Sequence, residues 1–555
     1  MQHDADRTGG GCPFNAAGTP AVSRRRVLAG AGLAALAALT GLGGTAAGAT
    51  PGTRRAPLPG RPRRARRGVR GGHAQGDPRG SDIAVRVGRD KEARFGLMFK
   101  QLPAFLPPDA LLLGLARQMV DPTPPVSDVK DSQDGFNNLA MPAGYIYLGQ
   151  FIDHDMTRDT TPIEVARSDP RALVNYDTPR FDLGSMYGNG PIANPELYDP
   201  AAPGKLLLVQ RDGVVDLPRD EVGAAFLGDP RNDENLIIAQ LHTAFMRLHN
   251  RFVDDGRSFA QAQELTRWHY QWVIVNDFLP RMVGRDLVDR LLSRPARGPA
   301  RFLGRHYRPR NPKRPYMPVE YSGAAYRFGH SMIRAEYEVH DARTVPIFAP
   351  DGHEDLRGSR PIPPSLAVDW NYFFDIPGLS RPDDRNMARL IDTKLSLPLS
   401  TLPSTVVTPA VGAITALAER NLLRGKRLGL PAGQDVARAM GVAPLTNARL
   451  GLTDPGWGGK APLWFYILKE AELGGGHTLG PVGGGIVAEV ILGLLAADRT
   501  SYLNGSGFTP VIPHFGMGEL LTLAGAVDPR FRPAEPEPAE PAHPEALPEP
   551  AGPTV

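Results

Sequence analysis

The chain has 555 residues, 41% of them hydrophobic and 22% charged, with a formal net charge of +4. This is globular composition, long enough for one large core or two domains. The single cysteine, Cys12, excludes an internal disulfide, a zinc cluster of cysteines and an iron–sulfur centre. The absence of any repeat of about 20–50 residues excludes solenoids and propellers.

Ser23-Arg24-Arg25-Arg26-Val27-Leu28 resembles a twin-arginine export signal. An Ala/Gly/Leu stretch follows to about Leu42, too short and too rich in alanine for a stable membrane span. Ala47-Gly48-Ala49 then offers a small-x-small cleavage site, with a mature chain beginning near Thr50. A buried helix is the alternative for this stretch. The order of signals favours export of a folded protein, hence a secreted or extracytoplasmic location, and a mature chain with no transmembrane segment. Residues 50–85 read as a Pro/Arg/Gly linker, with eight arginines between Arg54 and Arg70. Such a run is usually a solvated arm; contact with anionic surfaces is the sharper reading, and no nucleic-acid partner is expected. A globular body over 86–530 follows, then a Pro/Glu-rich tail over 531–555 that should stay unpacked.

Within the body, apolar spacing predicts helices over Leu111–Met119, Ala143–Met156, Asn232–Phe252, Gln261–Phe278, Gly323–Glu336 (better begun at Ala324) and Pro462–Glu470. Over Asn232–Phe252 the residues Ile237, Leu241, Phe245, Leu248 and Phe252 recur at helical spacing, and Asn232 is the predicted cap. Alternation is scarce; Lys205–Val209 with Val214-Val215 predicts a small hairpin. The fold class is therefore mainly α: one large helical domain with long loops and little β.

The most informative stretch is Gly149-Gln150-Phe151-Ile152-Asp153-His154-Asp155. Gln150 and His154 are four apart and share a helix face, Asp153 borders that face, and Asp155 is turned about 100° from His154. A polar face on an apolar helix is costly to bury without partners. The bland alternative is a satisfied core histidine. Soon after comes Thr178-Pro179-Arg180-Phe181-Asp182-Leu183-Gly184-Ser185-Met186-Tyr187-Gly188, which offers oxygen ligands at close spacing and, with Asp155, makes a calcium site plausible. Gly228-Asp229-Pro230-Arg231-Asn232-Asp233-Glu234 then places Arg231 just before the long predicted helix. Taken alone, Arg231 would be read as a salt-bridge partner of Asp229 or Glu234. Tyr326-Arg327-Phe328-Gly329-His330-Ser331 and Glu419-Arg420-Asn421-Leu422-Leu423-Arg424-Gly425 complete the set.

Together these motifs resemble the animal haem peroxidases of the peroxidase–cyclooxygenase superfamily, over roughly Phe95 to Val527. The resemblance implies a helical fold around a buried b-type haem. It makes His154, Gln150 and Arg231 the distal catalytic residues and His330 the ligand of the haem iron. Asp153 and Glu234 match carboxylates that are ester-linked to haem in several relatives. Arg327 and Arg424 would meet the propionates, and Asn421 would accept the N–H of His330. Calcium would be held by Asp155, Thr178, Arg180 (through its carbonyl), Asp182 and Gly184; the family commonly has Ser or Asp at the last position, so only a carbonyl or the neighbouring Ser185 could substitute here. The implied reaction uses hydrogen peroxide to oxidise a halide, a pseudohalide or a small aromatic donor through a ferryl haem. Two rival readings remain open. A fatty-acid oxygenase of the same superfamily would need a tyrosine three residues before His330, where Arg327 stands; Tyr326 should point about 100° away. A non-catalytic haem-binding protein would have no need of His154 and Arg231.

Overall fold

The computed structural model describes residues 95–527, apart from 123–136, 159–174, 176, 296–297, 310–314, 342, 351, 380–381, 383–384, 405, 408–412 and 505–506. The expected signal at 1–49, linker at 50–85 and tail at 531–555 lie outside the described residues, all of which belong to one compact unit. The longer helices are α1 (Asp109–Gln118), α2 (Gly144–Met156), α3 (Leu236–Asp254), α4 (Phe259–Val273), α5 (Leu417–Arg427), α6 (Leu463–Leu473) and α7 (Pro481–Ala497). Strand is confined, among the described residues, to two-stranded ladders. Mainly α, with long loops and little β, is what the structure shows.

The start of α2 is held by backbone from far along the chain. Asn137–Pro142 pairs antiparallel with Met387–Arg389 and feeds directly into the helix. Ala143 N–H donates to Asn386 O (2.9 Å) and Gly144 N–H to Phe373 O (2.9 Å). Glycine is required at 144, because a Cβ there would lie 2.4 Å from Phe373 O and 2.5 Å from the Phe374 ring. Beyond that point α2 is buried on most of its surface. Phe151 stacks on Phe245 of α3 at 4.7 Å and meets Tyr270 of α4 edge-on, so three helices share one aromatic contact.

The long helix starts later than its predicted boundary. Asn235, not Asn232, is the cap of α3, accepting from Ile238 N–H at 2.9 Å. Pro230–Asp233 form a tight 3₁₀ turn first, capped by Asp229. That extra turn releases the Asn232 side chain for another contact. The predicted hairpin is shifted along the chain, to Val209–Arg211 paired with Val214–Asp216. The segment predicted as helix over Gly323–Glu336 is instead a 3₁₀ helix, Ala325–Met332, followed by a strand, Glu336–His340. Side chains satisfy groups that an α-helix would pair internally: Trp464 Nε1–H donates to Arg327 O, and Arg327 Nε–H to Ser322 O.

α7 is absent from the sequence expectations, since Gly483-Gly484-Gly485 lowers helix propensity. Burial on all faces overrides that weakness. A Cβ at Gly483 would lie 2.5 Å from Ile467 of α6, and one at Gly493 would lie 2.5 Å from Tyr307. At Gly485 the obstacle is only the mobile Met440 methyl at 2.4 Å. Its N-terminal amides at Val482 and Gly483 donate to the Glu470 carboxylate. No helix among the described residues is long and apolar enough to cross a membrane. We expect Gly144→Ala to destabilise the protein by about 2 kcal/mol through overpacking against fixed backbone. Gly485→Ala should be neutral or stabilising, because its helix-propensity gain of about 1 kcal/mol is set against a small side-chain adjustment. Chemical denaturation of the two variants separates these outcomes.

Candidate active site

One face of α2 opens onto an internal cavity of about 270 Å³. Gln150, Asp153 and His154 line it from α2, Glu234 from the turn before α3, and Arg327 and His330 from the 3₁₀ segment. Much of the remaining wall is apolar, including Phe278, Phe328, Leu399 and Leu402. An adjoining polar pocket of about 180 Å³ shares Asp153, Ser322, Arg327 and Leu417 with the cavity and adds Arg231, Asn421 and Arg424. Residues from widely separated positions are thus gathered into one crevice with an apolar part and a cationic part.

His154 is fixed in one tautomer by its neighbours. Its Nδ1 lies 2.8 Å from Asn232 Oδ1, an atom that can only accept, so Nδ1 carries the proton. Asn232 in turn donates from Nδ2 to His242 Nδ1 at 3.0 Å, which pins the amide. The Nε2 of His154 is left as a lone pair, 3.7 Å from Glu234 Oε1. Burial, aided by the Arg231 charge, lowers the His154 pKa to about 3, so the ring is neutral at ordinary pH. The sequence expectation makes Asn232 a cap and does not include His242. The available signal is a histidine within the largely apolar run 236–246.

Arg231 does not line the cavity that His154 faces; it borders the polar pocket. Its guanidinium is clamped by Asp229 at 2.7 Å and donates to Thr157 O, so the salt bridge that the residue alone suggested is formed. Burial raises the Asp229 pKa, but the paired Arg231 charge and its hydrogen bonds reverse this and hold the carboxyl well below the usual range. Glu234 accepts from Gln150 Nε2–H, and Asn235 Nδ2–H donates to Gln150 Oε1 at 3.2 Å. Gln150 is therefore held at both ends of its amide. Burial raises the Glu234 pKa to about 7. Asp153 is likewise raised by burial against the opposing charges of Arg231 and Arg327, and accepts from Thr157 Oγ1–H at 3.0 Å.

On the other segment, Asn421 Nδ2 sits 2.8 Å from His330 Nδ1, while its Oδ1 accepts from Arg327 Nη1–H at 3.1 Å. The amide thus presents its donor to His330, the reverse of the expected polarity. The reason is Arg327, which can only donate and so claims the amide oxygen. Burial, with the Arg327 charge, lowers the His330 pKa to about 3. Gly329 lines the cavity, and a Cβ there would meet nothing within 4 Å, so open space lies over this backbone. Tyr326 also lines the cavity, with its hydroxyl donating to Gly149 O at 3.2 Å. The expectation that it points away assumed α-helical geometry, and the 3₁₀ turn removes that basis.

Asp155, Thr178, Arg180, Asp182 and Gly184 line neither pocket. The loop is drawn onto α2 by Leu183, whose N–H donates to Asp155 Oδ2 at 3.0 Å from a left-handed backbone (φ 59°). Thr178 Oγ1–H donates to Asp182 Oδ2 at 3.2 Å. The Gly184 carbonyl accepts from Gly188 N–H at 2.9 Å, whereas the buried Ser185 Oγ has no hydrogen-bond partner among the described residues. Among those residues no group of three or more His, Cys, Asp or Glu side chains is placed to hold a metal ion.

The animal haem peroxidase family model matches residues 150–361. Chorion peroxidase of Aedes aegypti is 33% identical over 116 residues, 19% of this chain and 14% of that one. Peroxidasin of Drosophila melanogaster is 23% identical over 313 residues, 51% of this chain and 19% of the other. Among solved structures, peroxidase A of Dictyostelium discoideum superposes with a TM-score of 0.53 at 18% identity, covering 79% of this chain and 90% of that one. The family match and these relatives support placing the chain in the animal haem peroxidase superfamily.

Superfamily membership implies haem. The residues fit it: two neutral imidazoles line one cavity, the backbone at Gly329 is bare, and arginines gather in the adjoining pocket. The family match runs from Gln150 past His330 but stops before Asn421 and Arg424. A fatty acid alpha-dioxygenase of Arabidopsis thaliana shares the fold as well, with a TM-score of 0.51 at 15% identity over 77% of this chain and 75% of its own. The chain spans about a quarter or less of the curated relatives named above. In the haem-free protein, Glu234 should give stability a characteristic pH dependence. A carboxyl whose pKa rises from 4.5 to about 7 on folding holds its proton more tightly in the native state. The Glu234 contribution to stability should therefore fall as pH rises from the first value towards the second, whereas His154 and His330, lowered to about 3, contribute the opposite slope up to their ordinary value. Thermal melts of wild type and Glu234→Gln across that window isolate the carboxyl: the stability of wild type minus that of the variant should fall as pH rises.

Proposed function

We propose that the protein is a haem-dependent oxidoreductase that uses hydrogen peroxide to oxidise a halide, a pseudohalide or a small aromatic donor. The observation that carries this reading is the His154 imidazole, neutral and fixed with its Nε2 lone pair unprotonated, in the cavity that also holds His330. Haem, when bound, would supply an iron for the peroxide and carry its oxidising equivalents to the donor. His330 would hold that iron, and Arg327 and Arg424 would hold the propionates. His154 Nε2 takes the proton from the inner oxygen of the peroxide and returns it to the outer oxygen as the O–O bond breaks. Arg231, clamped by Asp229, acts on this step through its charge, which helps keep His154 neutral. Gln150, tied to Glu234 and Asn235, narrows the space beside His154 and limits which donors reach it.

Finer features belong to the same proposal. Asp153 and Glu234 both face the cavity, as ester formation with a haem methyl would require. If acid–organic solvent extraction removes all the haem from peroxide-treated protein, no such bond exists; retention is expected. Calcium would draw on Asp155, Thr178, the Arg180 carbonyl and Asp182. Ser185 Oγ is supported in place of a Gly184 ligand by its unpartnered, buried hydroxyl. Chelation should lower the melting temperature, and calcium should restore it.

A fatty-acid oxygenase is the second reading, favoured by Tyr326 in the cavity and by the apolar wall around it. Two substitutions test the assignment. His330→Ala should weaken haem binding at least tenfold. His154→Ala should keep the Soret band and slow the reaction with peroxide by about 10²–10⁴-fold. Oxygen uptake on palmitate without peroxide consumption would instead establish the oxygenase, and a Soret band inert to both would leave a haem-binding protein without catalysis.

A further inference from the structure

A second, larger cavity of about 820 Å³ opens on the surface, and it touches the inner one through a single shared residue. That residue is Tyr145, on the first turn of α2. It is 2% exposed, and it forms part of the lining of both spaces. Asn276 and Asp277 line the outer cavity from a π-helical turn, Ile274–Phe278, that follows α4. Such turns insert an extra residue and are frequent at functional sites. Here the turn sends neighbouring side chains to different spaces: Asp277 lines the outer cavity and Phe278 the inner one.

Asp277 is matched to Tyr145. The tyrosine hydroxyl donates to Asp277 Oδ2 at 2.7 Å, Arg281 Nε–H donates to Oδ1 at 2.8 Å, and Met517 N–H donates to Oδ2 at 2.9 Å. The Arg281 guanidinium lies 4.4 Å from the Tyr145 ring centroid. Burial raises the Tyr145 pKa well above its usual value, so the phenol does not ionise by itself. Losing an electron would change that, because the oxidised phenol becomes a strong acid and a carboxylate already accepts its hydrogen bond. His154 stands nine residues further along the same helix, about 13 Å by helix rise. The lining of the outer cavity includes Trp272, Ile512 and His514, which are suitable contacts for an aromatic molecule.

We propose that Tyr145 is a redox relay and that the outer cavity is a second donor site, for phenols too large to enter the inner cavity. This rests on the peroxidase reading, in which hydrogen peroxide is the oxidant. Tyr145 gives one electron inward and its phenolic proton to Asp277 Oδ2. A phenol in the outer cavity then returns one electron to Tyr145, Asp277 returns the proton to the Tyr145 oxygen, the phenol releases its own proton to solvent, and the inner site takes up one proton from solvent for each electron it receives. Two turns of this cycle reduce one hydrogen peroxide to two waters and convert two phenols to phenoxyl radicals.

The test uses the haem-loaded protein with peroxide and two donors, iodide and the bulky phenol syringaldazine, together with electron paramagnetic resonance of samples frozen after peroxide alone. Wild type should oxidise both donors and show a tyrosyl radical. Tyr145→Phe should retain iodide oxidation, lose at least nine-tenths of syringaldazine oxidation, and lose that radical signal. Asp277→Asn, which keeps an acceptor oxygen but cannot take the proton, should lower the radical yield in the same direction. An unchanged radical and unchanged syringaldazine oxidation in Tyr145→Phe would overturn the relay while leaving the peroxidase reading intact. Failure of wild type to consume peroxide with either donor would overturn both.

Discussion

Placing four polar side chains on one largely buried helix, His154 and Asp155 buried and Gln150 and Asp153 partly so, is the constraint around which the molecule is arranged. Each such group costs on the order of 1–3 kcal/mol if it enters the interior without a partner, and more if it is charged. The chain answers three of them from distant segments and Asp153 from the end of the same helix. Asn232 takes the His154 N–H, Glu234 and Asn235 hold the Gln150 amide, Thr157 binds Asp153, and Leu183 N–H meets Asp155. The tight turn before α3 exists to serve this helix, since a longer α3 would have taken Asn232 into its own cap.

The same contacts set the electrostatics. Arg231 is partly buried beside His154 and would be costly alone, but Asp229 pairs with it in a 2.7 Å contact. The pair leaves a local positive field that, with burial, keeps His154 neutral and able to accept a proton. Burial raises the Glu234 pKa to about 7, and the Arg231 charge opposes this only in part. Across the cavity lining, Arg327 governs His330 indirectly by choosing which end of the Asn421 amide faces it. A carboxylate of the cofactor that engaged Arg327 would free the amide to turn its oxygen towards the Nδ1 of His330 (the polarity an iron ligand requires).

Long periodic segments were readable without coordinates. α1, α2, α3 and α6 lie within a few residues of their predicted bounds, because one apolar stripe on each decides the matter. α7 escaped notice because its stabilisation comes from neighbours on every side. Its glycines are bad for an isolated helix and good for close packing against α6 and Tyr307. The 3₁₀ segment around His330 departs from the predicted helix for a similar reason: Trp464, over a hundred residues away, satisfies the Arg327 carbonyl.

By itself the sequence determined that the chain is largely helical, and short-range spacing places Gln150 and His154 on one helix face and Arg327 three residues before His330. It could not decide what each of those side chains touches. Arg231 faces the polar pocket, Asn421 turns its nitrogen to His330, Tyr326 enters the cavity, and Tyr145 divides two cavities, all through contacts between segments far apart in the chain. Hydrogen-bond direction and cavity walls are properties of neighbours in space, and only the packed fold assigns those neighbours.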